Sequence, residues 1–242
     1  MDAVSRPAVR DLRRLSQGLR RRIERERWVA RRLQDGLAEL TMVPTRALVA
    51  LAGAVDLVVA DGVPGALVEC GTWRGGASFL MGLRARDRGD PRPLWMFDSF
   101  EGLPPPEPEI DGPAALAWAQ DTDSPWYFDN CRAAVEDVVA SARRLGLAAD
   151  CHVVKGWFDD SLPAKRAAVR RIALLRIDAD WYDSVRVCLS ELVPLVSTGG
   201  IVVLDDYWTW DGCTRAVHDF LSADKLPYRV MELGGGAAFR VS

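Results

Sequence analysis

The rhythm of apolar and polar positions along the 242 residues divides the chain into an opening segment and a longer remainder. In the opening segment Val9, Leu12, Leu15, Leu19, Ile23, Trp28 and Leu33 recur at roughly helical spacing, which predicts an amphipathic helix. From residue 66 short apolar runs alternate with helical patterns. Ala66–Cys70, Leu94–Phe97, His152–Val154, Ile172–Ile177 and Gly200–Leu204 read as strands. Gly76–Arg88, a stretch running to about Gly146, Tyr182–Val196 and Asp211–Ala223 read as helices. Ser124 or Asp129 is the candidate cap of the second helix, and Asp183 or Ser184 stands near the start of the third. Tyr228–Leu233 and Ala237–Val241 flank Gly234-Gly235-Gly236 and read as a terminal hairpin.

Strands alternating with helices predict an α/β fold: a mostly parallel sheet, helices on both faces, and a closing antiparallel pair. Residues 101–126 carry six prolines and many acids, which suits an irregular lid. The expected organisation is an N-terminal helical arm or cap over residues 1–60. A single domain over 61–242 follows, with the lid inserted at about 103–126.

Composition narrows the function classes. Net charge is −3 with 27% charged residues, so no bulk basicity argues for nucleic acid. The exception is local. Residues 1–32 hold eleven arginines against Asp2, Asp11, Glu24 and Glu26. That basic arm suits a solvated helix packed on the domain or on a second subunit better than a nucleic-acid or lipid surface. Cys70, Cys131, Cys151, Cys188 and Cys213 are scattered with no CxxC pair, and no apolar run approaches membrane-spanning length. A cytoplasmic protein without a membrane partner is expected.

Candidate chemistry gathers at the strand ends, where open α/β sheets bind ligands. After the first strand comes Glu69-Cys70-Gly71-Thr72-Trp73-Arg74-Gly75-Gly76. Its glycines permit a tight turn and close backbone approach, and the helix behind them offers free N–H groups. The spacing ExGxxxG does not match the GxGxxG of dinucleotide sites. It suits S-adenosylmethionine (SAM), which has a charged amino-acid end and no phosphate. Asp98 ends the second strand, placed to accept ribose hydroxyls, and Gly156-Trp157-Phe158 follows the third, able to flank an adenine ring.

Acids end the remaining strands: Asp178 and Asp180, then Asp205 and Asp206. In the strand order of class I methyltransferases these two strands are neighbours about 4.8 Å apart, so the carboxylates meet at one rim. All-oxygen ligands suit a hard divalent ion such as Mg²⁺. A metal lowers the pKa of a bound hydroxyl and a nearby carboxylate removes its proton, with Asp180 the candidate base beside Asp178. His152 and His218 are not placed for such work.

These stretches together resemble the macrocin O-methyltransferase family, of the TylF/MycF type. The matching residues are Asp61-Gly62-Val63-Pro64-Gly65, the loop Glu69–Gly76, and Asp98-Ser99-Phe100-Glu101-Gly102-Leu103-Pro104. Further on they are Gly156-Trp157-Phe158 with Asp160, Leu162-Pro163, Asp178-Ala179-Asp180 and Asp205-Asp206-Tyr207. The resemblance implies a Rossmann-like class I methyltransferase that methylates sugar hydroxyls of natural products with SAM and Mg²⁺. It implies SAM-binding residues along the loop (Glu69, Gly71, Thr72, Arg74, Gly75, Ser78), at Asp98, Ser99 and Phe100, at Gly156, Trp157 and Phe158, and at Asp178. Thr41 and Met42 join them, because Thr41-Met42-Val43 resembles the segment before the family's first core helix. Asp178, Asp205 and Asp206 are the implied metal ligands. Homo-oligomers in which N-terminal segments cover active sites are also implied, giving the arm a role. The lid between Pro104 and Trp126 is this chain's own, so the acceptor is the least determined part: a small-molecule glycoside is expected. A catechol-like phenol, a polysaccharide sugar and a non-catalytic SAM-binding protein are the alternatives.

Overall fold

The computed structural model describes residues 6–223 and 227–242, the side chains of residues 6–17 excepted. Val9, Leu12 and Leu15 of the predicted apolar spacing are among those excepted side chains.

Seven strands form one sheet in the order β3-β2-β1-β4-β5-β7-β6. They are β1 (Ala66–Cys70), β2 (Leu94–Asp98), β3 (Cys151–Lys155), β4 (Ile172–Ile177), β5 (Val196–Leu204), β6 (Met231–Leu233) and β7 (Gly236–Arg240). The first five are parallel, and β7 returns antiparallel between β5 and β6. β1, β2 and β4 are buried at every position, because helices cover both faces. That is why they read as mainly apolar runs instead of alternating ones. Two charged residues interrupt the runs of β1 and β4, Glu69 and Arg176, and they stand opposite one another in register.

One face carries α1 (Arg6–Arg32), α2 (Thr45–Ala60), α3 (Gly76–Asp87) and α6 (Val135–Arg144). The other carries α7 (Phe158–Val169), α8 (Tyr182–Leu192) and α9 (Asp211–Ala223). The apolar core on the first face runs from Trp28 and Val29 through Leu48, Leu51 and Val55 to Leu174 and Ala238. Residues before 61 therefore share the core of the sheet, and the expected boundary at residue 60 coincides with no break in packing. α1 is also tied down by charge. Arg84, almost wholly buried on α3, donates to Glu24 of α1 and Asp56 of α2, and Trp28 Nε1 donates to Asp87 at 2.9 Å. Among the described residues no single helix is long and apolar enough to cross a membrane.

Three expectations need correction. The lid is not irregular throughout: it holds α4 (Pro108–Gln120), broken at Gly112, where φ is 83°. The helix ending near Gly146 starts only at Val135, so neither Ser124 nor Asp129 caps it. Between them lies a turn, α5 (Phe128–Cys131), whose four residues all have positive φ. Finally, α8 stops at Leu192, where the turn Val193–Leu195 with Pro194 ends it, and β5 begins at Val196.

Candidate active site

The strands end level. Cys70 pairs with Phe97 and Ile177, and Ile177 with Leu204, so Gly71, Asp98, Asp178 and Asp205 reach one rim. The strand order reverses between β1 and β4, which is where such sheets open a crevice. A cavity of ≈ 290 Å³ lies there.

The turn after β1 forms its floor. Gly71 has φ 81°, and a Cβ on it would fall 1.6 Å from the carbonyl oxygen of Asp178. Only glycine lets the ends of β1 and β4 approach so closely. Asp98 folds the turn: its Oδ2 accepts the Thr72 and Trp73 N–H groups, both at 2.8 Å, and its Oδ1 accepts Phe100 N–H at 2.7 Å. Burial pushes the Asp98 carboxyl up, and those backbone donors oppose it. The oxygens expected to wait for ribose hydroxyls thus already hold the loop. A carboxylate has about four acceptor sites, so room for one more bond remains.

Of the residues expected to bind cofactor, Thr41, Met42, Glu69, Gly71, Thr72, Asp98, Ser99, Trp157, Phe158 and Asp178 line the cavity. Thr41 is held there because α3 starts at a glycine: a Cβ on Gly76 would meet Thr41 Cβ at 2.6 Å. Trp157 is exposed, a flat face at the rim. Arg74, Gly75, Ser78, Phe100 and Gly156 do not line the cavity. Arg74 turns outward over the Trp73 ring, 4.4 Å from its centroid. Gly75 is the left-handed start of α3, packed on Phe79 and Met96. Ser78 is buried and donates to Glu69. Phe100 lies in the core on the α1–α3 side of the sheet, and Gly156, at φ 148°, donates its N–H to the Asp98 carbonyl at 2.9 Å.

Beside the cavity, Asp178, Asp205 and Asp206 present carboxylate oxygens within 4.8 Å of one another. Asp178 lines the cavity too. Burial pushes Asp178 up to about 6, against the pull of Arg176, and Asp180 up to about 8, reinforced by the charge of Asp178. Burial also pushes Asp206 well above the usual carboxylate range, with Asp180 and Asp178 adding to it. Several carboxylates in little water are an unfavourable arrangement unless a cation joins them. An all-oxygen set fits a hard divalent ion. Asp180 stands just past the cluster with φ 56°, a strained value for a non-glycine. Its Oδ1 accepts Trp210 Nε1–H at 2.8 Å, and its backbone N–H donates to Asp206 Oδ2 at 3.2 Å.

The lid is fastened to this loop. Trp181 Nε1 donates to the Pro104 carbonyl at 2.9 Å, and Tyr182 N–H donates to the buried Asp111 of α4 at 2.8 Å. The Trp118 ring of α4 meets those of Trp181 and Trp210 edge-on, at 5.8 and 6.4 Å.

Sequence reasoning missed Arg176, Trp210 and Asp111. Arg176 carried a signal, an arginine inside a buried apolar run; the other two looked like ordinary lid and loop residues. The histidines stand apart: His152 stacks on Trp95 and His218 meets Tyr207 Oη at 2.8 Å.

Comparison with known proteins places this geometry in context. The profile of the macrocin O-methyltransferase (TylF) family matches residues 8–240. The chain is 40% identical over 203 residues to the 8-demethyl-8-(2,3-dimethoxy-α-L-rhamnosyl)-tetracenomycin-C 4'-O-methyltransferase of Streptomyces olivaceus, covering 82% of this chain and 74% of that one. It is 38% identical over 185 residues to the demethyldecarbamoylnovobiocin O-methyltransferase of Streptomyces niveus, covering 74% and 67%. The solved structure of the O-methyltransferase NovP superposes with a TM-score of 0.74 at 30% identity, covering 84% of this chain and 82% of that one.

Proposed function

Given that this chain belongs to the macrocin O-methyltransferase family, and is thus a SAM-dependent O-methyltransferase, we propose that it methylates a sugar hydroxyl of a glycosylated natural product with the help of a divalent cation, Mg²⁺. The observation that carries the reading is Asp178, which belongs at once to the cavity and to the acidic cluster. A donor site and an oxygen-binding site that share one side chain bring methyl and hydroxyl together. Relatives named for a rhamnosyl 4'-O-methylation and a novobiocin precursor support the acceptor class.

In this reading the cavity binds SAM, with Thr41, Met42, Glu69, Gly71, Ser99 and Trp157 lining it. Asp178, Asp205 and Asp206 hold the cation, which when bound lowers the pKa of a hydroxyl beside it and fixes its position. The acceptor oxygen forms a bond to the methyl carbon as the carbon–sulfur bond breaks, and that electron pair neutralises the sulfonium. The hydroxyl proton passes to Asp180, whose Oδ1 is fixed by Trp210 so that Oδ2 is left for it. Lid and Trp157 exclude water and orient the partners in line, which supplies much of the rate. Residues 1–60 act as arm and cap, and residues 103–126 as the lid over the acceptor.

The test is methyl transfer from SAM to rhamnosyl and deoxysugar glycosides, with and without EDTA. Activity abolished by EDTA and restored by Mg²⁺ is expected. Asp178→Asn should lose about a hundredfold or more in kcat while S-adenosylhomocysteine (SAH) binding falls far less. Full turnover in EDTA would remove the cation from the reading, and transfer to catechols but not to glycosides would remove the sugar. The arm is read as the surface between copies of the chain, since its Leu19 and Ile23 are exposed. Leu19→Asp/Ile23→Asp should then lower the mass measured by light scattering, and an unchanged mass would reject that role.

A further inference from the structure

Arg176 is almost wholly buried, yet it is a cation set in a strand of apolar residues. Burying a guanidinium costs several kcal/mol unless carboxylates surround it. Here three do, from three adjacent strand ends. Nη1 donates to Glu69 on β1 and, at 2.7 Å, to Asp178 after β4. Nη2 lies 2.8 Å from Asp205 Oδ1 after β5, close enough for an ion pair but without an aligned hydrogen bond. Glu69 is equally enclosed, one oxygen on Arg176 and the other on Ser78. It lines the cofactor cavity but belongs to no candidate ligand set for a cation. A planar fork can serve three carboxylates in fixed directions, which the point charge of a lysine cannot do.

We infer that Arg176 is a positioning residue joining the two halves of the site, fixed by Glu69 on the cofactor side so that it holds Asp178 and Asp205 in place for the cation. This rests on the reading of the acidic cluster as a cation site. Glu69 then supports a cation it never touches, and the support passes only through Arg176. Simple through-space attraction would make Glu69→Gln weaken cation binding whatever stands at position 176. Positioning makes the effect depend on the arginine.

The experiment titrates Mn²⁺ and SAH separately by calorimetry into the wild type, Glu69→Gln, Arg176→Lys and the double variant. No acceptor or turnover is required. Arg176→Lys keeps the charge, so it should weaken Mn²⁺ binding by about fivefold or more through lost geometry. Glu69→Gln should weaken Mn²⁺ binding by a similar factor in the wild type and not further in the Arg176→Lys background. Equal effects of Glu69→Gln in both backgrounds, or none in the wild type, would overturn the inference and leave the cation reading standing. Tighter Mn²⁺ binding by Arg176→Lys would make Arg176 a competitor of the cation and also overturn it. A wild type that binds SAH but no Mn²⁺ would remove the cation reading and this inference together. Should Arg176→Lys not fold, Arg176→Gln serves as the background, and the same comparison of Glu69→Gln in the two backgrounds decides.

Discussion

At the scale of single residues the site depends on backbone proximity as much as on side chains. Gly71 and Gly89 both have positive φ, but only Gly71 has another strand against it: the carbonyl of Asp178 occupies the place of a Cβ, whereas Gly89 faces open space. Gly89→Ala should cost about 1 kcal/mol, the strain of a left-handed alanine alone. Gly71→Ala adds a collision between β1 and β4 and should cost about 2 kcal/mol or more in urea unfolding, with SAH binding lost. Equal costs at the two positions would mean that the close approach does not matter. Gly71 was legible from the sequence because a glycine after a buried strand has few other uses. The work of Asp98 was only half legible: its place at the strand end was plain, its three backbone partners were not. Arg176 passed as one more strand residue, since sequence spacing does not reveal that Glu69 stands opposite it.

At the scale of elements, the lid and the loop after β4 behave as one piece. The N–H of Tyr182, at the start of α8, finds its acceptor in Asp111 of the lid, whose other oxygen takes the N–H of Glu107. A Cβ on Gly212 would strike Asp111 Oδ1 at 2.0 Å, so α9 closes over the same carboxylate. Asp111→Ala takes the acceptor from two part-buried backbone donors, a loss of about 1 kcal/mol. Its first visible effect should be faster limited proteolysis within residues 104–127, with kcat falling more than SAH affinity. Unchanged proteolysis would show the lid to be held by its other contacts, the tryptophan rings and the bond from Arg215 to the Glu109 carbonyl. The buried strands and α9 were legible because covered parallel strands are uniformly apolar. The lid was not. Pro113 inside α4 and Pro163 inside α7 break the helical pattern, and the turn Phe128–Cys131 takes positive φ without one glycine to announce it. α2 is apolar nearly all round although only the face of Leu48, Leu51, Ala52, Val55 and Val58 is buried and Leu57 is exposed, so its sequence shows little periodicity to read.

At the scale of the whole molecule, the arm is joined to the sheet by charge as well as by Trp28 and Val29. Arg84 holds the Glu24 carboxyl below the usual carboxylate range. For Asp87 burial alone would raise the carboxyl, but the Trp28 N–H and Arg32 outweigh it and hold it low. Groups whose pKa is depressed on folding contribute stability above their unfolded pKa and lose it as pH falls through the folded one. The attachment of α1 should therefore be complete near neutrality and weaken in acid. Amide exchange in residues 20–32 should rise ahead of that in β1 and β4 between about pH 7 and about pH 3. Because Glu24 is half exposed, salt should reduce this difference. Simultaneous exchange across arm and sheet would mean that apolar packing alone holds the arm.

The bond from Trp181 to Pro104 sets limits on how such an enzyme can diversify. If the lid covers the acceptor as proposed, rewriting α4 for a different one also rewrites the support of the Asp180 loop, through Asp111 and Trp118, and gains in range should come with losses in turnover. The Trp126 side chain, exposed and meeting the Phe128 ring edge-on at 6.2 Å, is freer of that coupling than its neighbour Tyr127, which packs on Trp118. Libraries aimed at new acceptors belong at that one side chain first, since its ring takes no part in the Trp118–Trp181–Trp210 contacts.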